Sequence, residues 1–339
     1  VGALTAVWAS AAAAAPGCQL AKVGELPVKF DHNRPLVQVS INGAPGWFLI
    51  DTGAADSTMF GGAARAFGLS FLTADHVKFY GVGGSQDAEY TIVKDFALSD
   101  VKVKGLTFYV IGHGGSAAEA GILGRDFLTH FDLEFDLANK ALRLWKADHC
   151  GDQPLAYWTK TPGGADLHLD GANQQYQVKL SINGKPIEAI LDSGATTSII
   201  TSDAASAAGL KPADFTNEKD KTRGIGENIV DVRVAKFDRI EIGTEEIKNA
   251  KLRVADLYGD NQEMRTGSYL PHRVDLRLPD MLLGADFLRS HRVLLAPDQH
   301  MMYFTYGGGP IFQVVGEAVA AGDPAPAQAP AGPPPPSTR

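Results

Sequence analysis

The chain says the same thing twice. Phe48-Leu49-Ile50-Asp51-Thr52-Gly53-Ala54 returns as Ala189-Ile190-Leu191-Asp192-Ser193-Gly194-Ala195, and a repeat of this kind constrains the fold before any other feature does. Upstream, Ser40-Ile41-Asn42-Gly43 returns as Ser181-Ile182-Asn183-Gly184, with the aspartate 9 residues after the asparagine both times (51−42 and 192−183). Downstream, Phe67-Gly68-Leu69 returns as Ala208-Gly209-Leu210, with the glycine 17 residues past each aspartate (68−51 and 209−192). Ile122-Leu123-Gly124-Arg125-Asp126-Phe127-Leu128 returns as Leu282-Leu283-Gly284-Ala285-Asp286-Phe287-Leu288. Here the spacing from aspartate to glycine grows from 73 (124−51) to 92 (284−192), so the second copy carries 19 more residues (92−73). The polar stretch Tyr258 to Pro279 is their natural place. So long a period excludes a stacked solenoid and indicates two copies of one domain.

Each copy reads as strands. Residues 35–41, 46–51, 78–80, 90–98, 106–111 and 141–145 are short, apolar or alternating, and bounded by Gly, Asn and Asp. The second copy repeats them at 177–182, 187–192, 229–241, 251–255 and 301–306. Asn42-Gly43 and Asn183-Gly184 are hairpin-turn pairs. Helix is sparse: 61–68 and 202–209, each ending at glycine, and 125–129 and 285–289. The expected fold is mainly β and bilobal, with a first lobe over 19–148, a join over 149–164 rich in Gly, Pro and polar residues, and a second lobe over 165–315.

One carboxylate per copy, at the end of an apolar strand and before a hydroxyl and a glycine, is what acid/base chemistry by a carboxylate pair requires. Two carboxyl groups about 3 Å apart cannot both ionise. The ionised one can activate a water, while the protonated one polarises a carbonyl and later donates. Gly53 and Gly194 allow a close backbone turn. An isolated Asp-Thr-Gly is ordinarily a turn or a helix cap; a matched pair inside a repeat is specific. Asp126 and Asp286 form a second matched pair, read as helix caps or salt-bridge residues.

These motifs resemble the aspartic peptidases. Each half is similar to a retropepsin subunit, the two fused halves to the pseudo-dimer of pepsin, and the whole to bacterial retropepsin-like aspartyl proteases, over residues 28–306. The resemblance implies an acid-protease fold of two β-barrel lobes with a cleft between them. Asp51 and Asp192 are then the catalytic dyad, with Thr52 and Ser193 bonding across to the opposite loop. Gly124 and Gly284 lie in a psi-shaped strand beside each catalytic loop. Gly81, Val82, Gly83 and Gly84, and in the second half Gly224, Ile225 and Gly226, resemble flap tips that close over substrate. A phosphate loop is excluded there, because no Lys-Ser/Thr follows and the pattern is strand-turn-strand. Gly112-His113-Gly114-Gly115-Ser116 is read as a plain loop. The implied activity is endopeptidase, on a polypeptide bound as an extended strand. No cofactor or metal is expected. The alternative is a catalytically weak or inactive peptide-binding scaffold of the same fold.

Composition bounds the rest. A net charge of −8 without a basic stripe argues against nucleic acid as partner. The 9 histidines show no ligand spacing suited to zinc, and nothing specific supports a Ser-His-Asp triad. Val1 to Ala15 is apolar and Ala-rich, like the core and cleavage site of a secretory signal peptide; it is too short for a membrane span. The expected location is periplasmic or extracellular. The 2 cysteines, Cys18 and Cys150, bracket the first half. In an exported protein they suggest a disulfide, with free thiols or lipidation of Cys18 as alternatives. Residues 316–339, rich in Ala and Pro, read as a disordered tail. With both halves in one chain, a monomer is expected.

Overall fold

The computed structural model describes residues 17–81, 84–169, 174–216, 220–222, 230–257 and 279–312. The signal-like segment, nearly all of the 258–279 insertion and the 316–339 tail lie outside these residues. In the first half β1 (Gln19–Asp31), β2 (Arg34–Ile41), β3 (Ala44–Ile50), β4 (Thr58–Phe60), α1 (Gly61–Ala66), β5 (Leu72–Gly81), β6 (Gly84–Leu98), β7 (Val101–Ile111), β8 (Gly121–Leu123), α2 (Arg125–Leu128), β9 (Asp132–Asp136) and β10 (Ala141–Asp148) follow in order. The second half repeats the plan with β11 (Gly163–Leu169), β12 (Tyr176–Ile182), β13 (Lys185–Leu191), β14 (Ile199–Thr201), α3 (Ser202–Ala207), β15 (Asp220–Thr222), β16 (Val230–Ile242), β17 (Glu245–Ala255), β18 (Met281–Leu283), α4 (Ala285–Ser290), β19 (His291–Ala296) and β20 (Met301–Tyr306).

The repeat is visible in the pairing. In the first half β2, β3, β8, β4, β7 and β6 pair in turn and close back onto β2. In the second, β12, β13, β18, β14, β17 and β16 close in the same way. Closure removes the unpaired edges that an open sheet would expose. Both Asn-Gly hairpins form as expected, with φ of 50° at Asn42 and 88° at Gly43, and 50° at Asn183 and 76° at Gly184. Two consecutive left-handed residues give the tight turn whose twist matches its flanking strands.

A third sheet joins the lobes. Its order is β1, β10, β9, β19, β20, β11, all antiparallel, three strands from each half. β1 and β11 each leave it to pair with the first strand of their own barrel, β2 or β12. One contiguous apolar core runs through both lobes, with Phe48, Phe96, Phe108 and Phe135 on one side and Tyr176, Phe237, Phe287 and Phe304 on the other. The join packs against the interlobe sheet: Leu155 and Ala156 are buried with Trp145, Leu294 and Tyr303. Cys18 and Cys150 are disulfide-bonded, tying the start of β1 to the end of β10.

At the centre of the joining sheet, the fully buried carboxylate of Glu134 accepts from Arg143 (2.8 Å), Trp145 (2.7 Å), Tyr157 (3.0 Å) and both Nε (2.9 Å) and Nη2 (2.6 Å) of Arg292. Arg143 also pairs with Asp136 at 2.9 Å. A buried charge is tolerated only when its lone pairs are filled in this way. The network takes members from both lobes and from the join.

Candidate active site

β3 and β13 each end one residue before an aspartate, beside a parallel strand of the same barrel. Ile50 pairs with Leu123 and Leu191 with Leu283. The amide of Asp51 then donates to the Leu123 carbonyl at 3.0 Å, and that of Asp192 to the Leu283 carbonyl at 2.9 Å. Past this point each loop turns back on its own carboxyl group. Asp51 Oδ1 accepts from the amides of Gly53 (2.9 Å) and Ala54 (2.9 Å). Asp192 Oδ1 accepts from those of Gly194 (2.9 Å) and Ala195 (3.0 Å).

The two loops hold each other reciprocally. Thr52 Oγ1 donates to the Leu191 carbonyl at 2.6 Å and accepts from the Ser193 amide at 2.9 Å. Ser193 Oγ donates to the Ile50 carbonyl at 2.6 Å and accepts from the Thr52 amide at 3.0 Å. Both residues are fully buried, so each bond also satisfies a backbone group that has no access to water. This clasp brings Asp51 and Asp192 together, each carboxyl lying against the glycine of the opposite loop. A Cβ on Gly53 would lie 2.5 Å from the Asp192 carboxyl carbon, and one on Gly194 2.3 Å from Asp51 Oδ2. Glycine is required there by the approach of the opposite half.

A comparison with family profiles matches the one described as aspartyl protease to residues 37–127 and 178–287, more than half of the chain and one segment in each lobe. The chain belongs to the aspartyl protease family. A comparison with curated proteins finds no match.

In this aspartyl protease fold both carboxyls sit above their usual range. Burial raises the carboxyl of Asp51 above its usual range, against the opposing pull of the Ala54 and Gly53 amides. Burial pushes Asp192 up to about 8, and the neighbouring charge of Asp51 adds to the shift. Both aspartates keep a solvent-touching edge while protein atoms fill the volume around them. The site is therefore reachable yet poorly hydrated, and desolvation dominates.

Gly124 and Gly284 occupy the turn from β8 to α2 and from β18 to α4. A Cβ there would meet the Asp56 backbone at 2.7 Å or the Thr197 backbone at 2.6 Å, so a side chain would displace the catalytic loop. Asp126 and Asp286 are not helix caps: α2 and α4 begin at Gly124 and Gly284 without a side-chain cap. Instead Asp126 accepts from Ser57 Oγ at 2.7 Å and Asp286 from Ser198 Oγ at 2.6 Å. The same serine oxygens accept from the amides of Gly124 (3.0 Å) and Gly284 (2.9 Å). Sequence reasoning passed over Ser57 and Ser198, although both stand 6 residues after their aspartate (57−51 and 198−192). It also passed over Arg125, which is buried and whose Nη1 donates to the Thr52 carbonyl at 3.2 Å and to the Gly53 carbonyl at 2.5 Å.

Of the flap residues, Gly81 and Gly84 pair with each other at the end of the β5–β6 hairpin. Val82, Gly83, Gly224, Ile225 and Gly226 lie outside the described residues. Among those described, no group of three His, Cys, Asp or Glu is arranged to hold a metal ion, and no helix is long and apolar enough to cross a membrane.

Proposed function

We propose that this protein is an aspartic endopeptidase, and that Asp51 and Asp192 together activate one water for attack on a peptide bond. The observation that carries this reading is the pair itself: two carboxyls brought together across the halves, each lying against the opposite loop's glycine, each fixed by two backbone amides and raised by burial. The ionised member takes a proton from the water as it attacks the scissile carbonyl. The protonated member polarises that carbonyl, and a proton then passes to the leaving nitrogen. Thr52, Gly53, Ser193 and Gly194 keep the two groups in register, and Gly124 and Gly284 let the adjoining strands pass close behind them.

The substrate is a polypeptide lying extended between the lobes, held by main-chain hydrogen bonds with alternate side chains in pockets. The β5–β6 hairpin closes over it. The chain acts in an oxidising compartment, a placement that the Cys18–Cys150 bond supports. The lobes are 19–148 and 165–315.

The test is cleavage of an unbiased peptide library from acid to neutral pH, beside Asp51→Asn and Asp192→Asn. The expected result is activity that both substitutions abolish and that a statine-type transition-state analogue inhibits. Activity surviving either substitution overturns the dyad; a folded wild-type chain that binds the analogue but cleaves nothing favours a peptide-binding scaffold.

A further inference from the structure

The duplication allows each residue at the dyad to be compared with its twin. Asp56 stands where the second half has Thr197 (56−51 and 197−192, both 5), whereas the paired aspartates, hydroxyls, glycines and serines match. The residue after the second conserved glycine does not: it is Arg125 in the first half and Ala285 in the second. Arg125 Nη1 donates to the carbonyls of Thr52 and Gly53. Those carbonyls belong to the two peptide units whose opposite ends, the amides of Gly53 and Ala54, donate to Asp51 Oδ1. A cation at the carbonyl end of a peptide group polarises it and strengthens its N–H as a donor. In the second half the amides of Gly194 and Ala195 donate to Asp192 at similar lengths, but Ala285 has no donor to offer at the other end.

We propose that Arg125 is a positioning residue that makes the two aspartates inequivalent, drawing the dyad's single negative charge to Asp51 and leaving the shared proton on Asp192. The roles of base for Asp51 and acid for Asp192 rest on the peptidase reading; the electrostatic asymmetry does not. Asp56 opposes the pull of Arg125, and burial raises its carboxyl toward the neutral form. Asp51, Asp192, Tyr176 and Asp56 act on the guanidinium. Asp56 also feels Asp126, which is matched in position by Asp286. Tyr176 stands where the first half has Pro35 (176−183 and 35−42, both −7). Burial raises its phenol and keeps it neutral. Arg125 acts on both carboxyls but holds the carbonyls behind the amides of Asp51's own loop, while on the other side Arg253 donates to Thr197 Oγ1 at 2.6 Å.

The experiment is a carboxyl-carbon NMR titration of the full chain with labelled aspartate, resonances assigned through Asp51→Asn and Asp192→Asn. In the wild type Asp51 is expected to ionise at the lower pH. In Arg125→Met its titration should move upward by about one pH unit, with Arg125→Lys restoring part of the shift. If the protein cleaves peptides, the acid limb of kcat/KM should move with it while KM stays nearly constant. The wild-type titration decides the matter even if Arg125→Met does not fold or no substrate is cleaved: Asp192 ionising first, or both together, overturns the proposal. So does a folded Arg125→Met with unchanged curves.

Discussion

A methyl group is the smallest probe of how closely the halves approach. Gly194→Ala places carbon 2.3 Å from Asp51 Oδ2, and Gly53→Ala places it 2.5 Å from the Asp192 carboxyl carbon. The contact cannot be relieved without moving a carboxyl group or a loop held by the Thr52–Ser193 clasp. Either variant is expected to lose at least about 100-fold in kcat/KM, since an ångström of misplacement at a reacting centre costs that much. Measured rates within a few-fold of wild type would show that the loops open more easily than the clasp suggests. The raised carboxyls also leave a mark on stability. The folded state holds the Asp192 proton up to about 8, whereas an unfolded aspartate loses it near 3.9. Between those values the folded state binds more protons than the unfolded one, so this pair's contribution to stability falls as pH rises from about 4 to about 8. Asp192→Asn keeps an oxygen for the Gly194 and Ala195 amides but carries no proton to lose. Its Tm relative to wild type should therefore climb across that window, and a pH-independent difference would remove the electrostatic account. The aspartates were legible in sequence because the repeat singled them out. Arg125 was not, because its partners are backbone carbonyls, which leave no trace in side-chain patterns.

At the level of elements, the strands read best from sequence include those with one wet face, such as β6 and β12. In the joining sheet β10 and β20 were read, but β1, β9, β11 and β19 escaped notice for a physical reason. β9 reads Asp-Leu-Glu-Phe-Asp, an alternation that suggests an exposed strand or loop, yet every residue in it is buried. Glu134 and Asp136 are satisfied by Arg143 and Arg292, which arrive from β10 and from the other lobe, and Asp132 accepts from the Ala147 amide. β4 and β14 hold three residues each and sit between two neighbours, too short to show a period. The cysteine pair was legible from count and compartment, but its place on the edge strand of the joining sheet was not. That place gives the bond an element-scale role, because β1 spans both the joining sheet and the first barrel. Closing a loop across a separation of 132 residues restricts the unfolded chain by about 5 kcal/mol in the chain-entropy model. Cys18→Ala with Cys150→Ala, or reduction, should lower stability by about 2–5 kcal/mol in chemical denaturation. A loss below the error of that measurement would mean that the β1–β10 pairing holds the edge alone.

For the whole molecule, the question is what makes two barrels behave as one body. The Glu134 network sits where β9 of one lobe pairs with β19 of the other, Phe135 opposite Val293. Removing one partner leaves a buried charge unmatched, at a cost of about 3–5 kcal/mol. Glu134→Ala and Arg292→Ala should each destabilise by that order, and the double variant by much less than their sum. Additive losses in the denaturation cycle would assign the coupling to the sheet's backbone bonds instead. The bilobal plan could be foreseen from the duplication; the joining sheet could not, because the β9–β19 pairing at its centre joins residues far apart in sequence, one strand from each half, and leaves no local pattern.

The clasp between Thr52 and Ser193 has a consequence for how the protein can be switched off. A site assembled from two separate chains is lost on dilution, and a molecule that caps one chain can starve the other of its mate. Here the mate is covalently attached, at an effective concentration of about millimolar even through a flexible tether, and the joining sheet holds it closer still. Dilution leaves such a site whole, so an antagonist has to occupy the groove itself; prising the halves apart is not a route open to it.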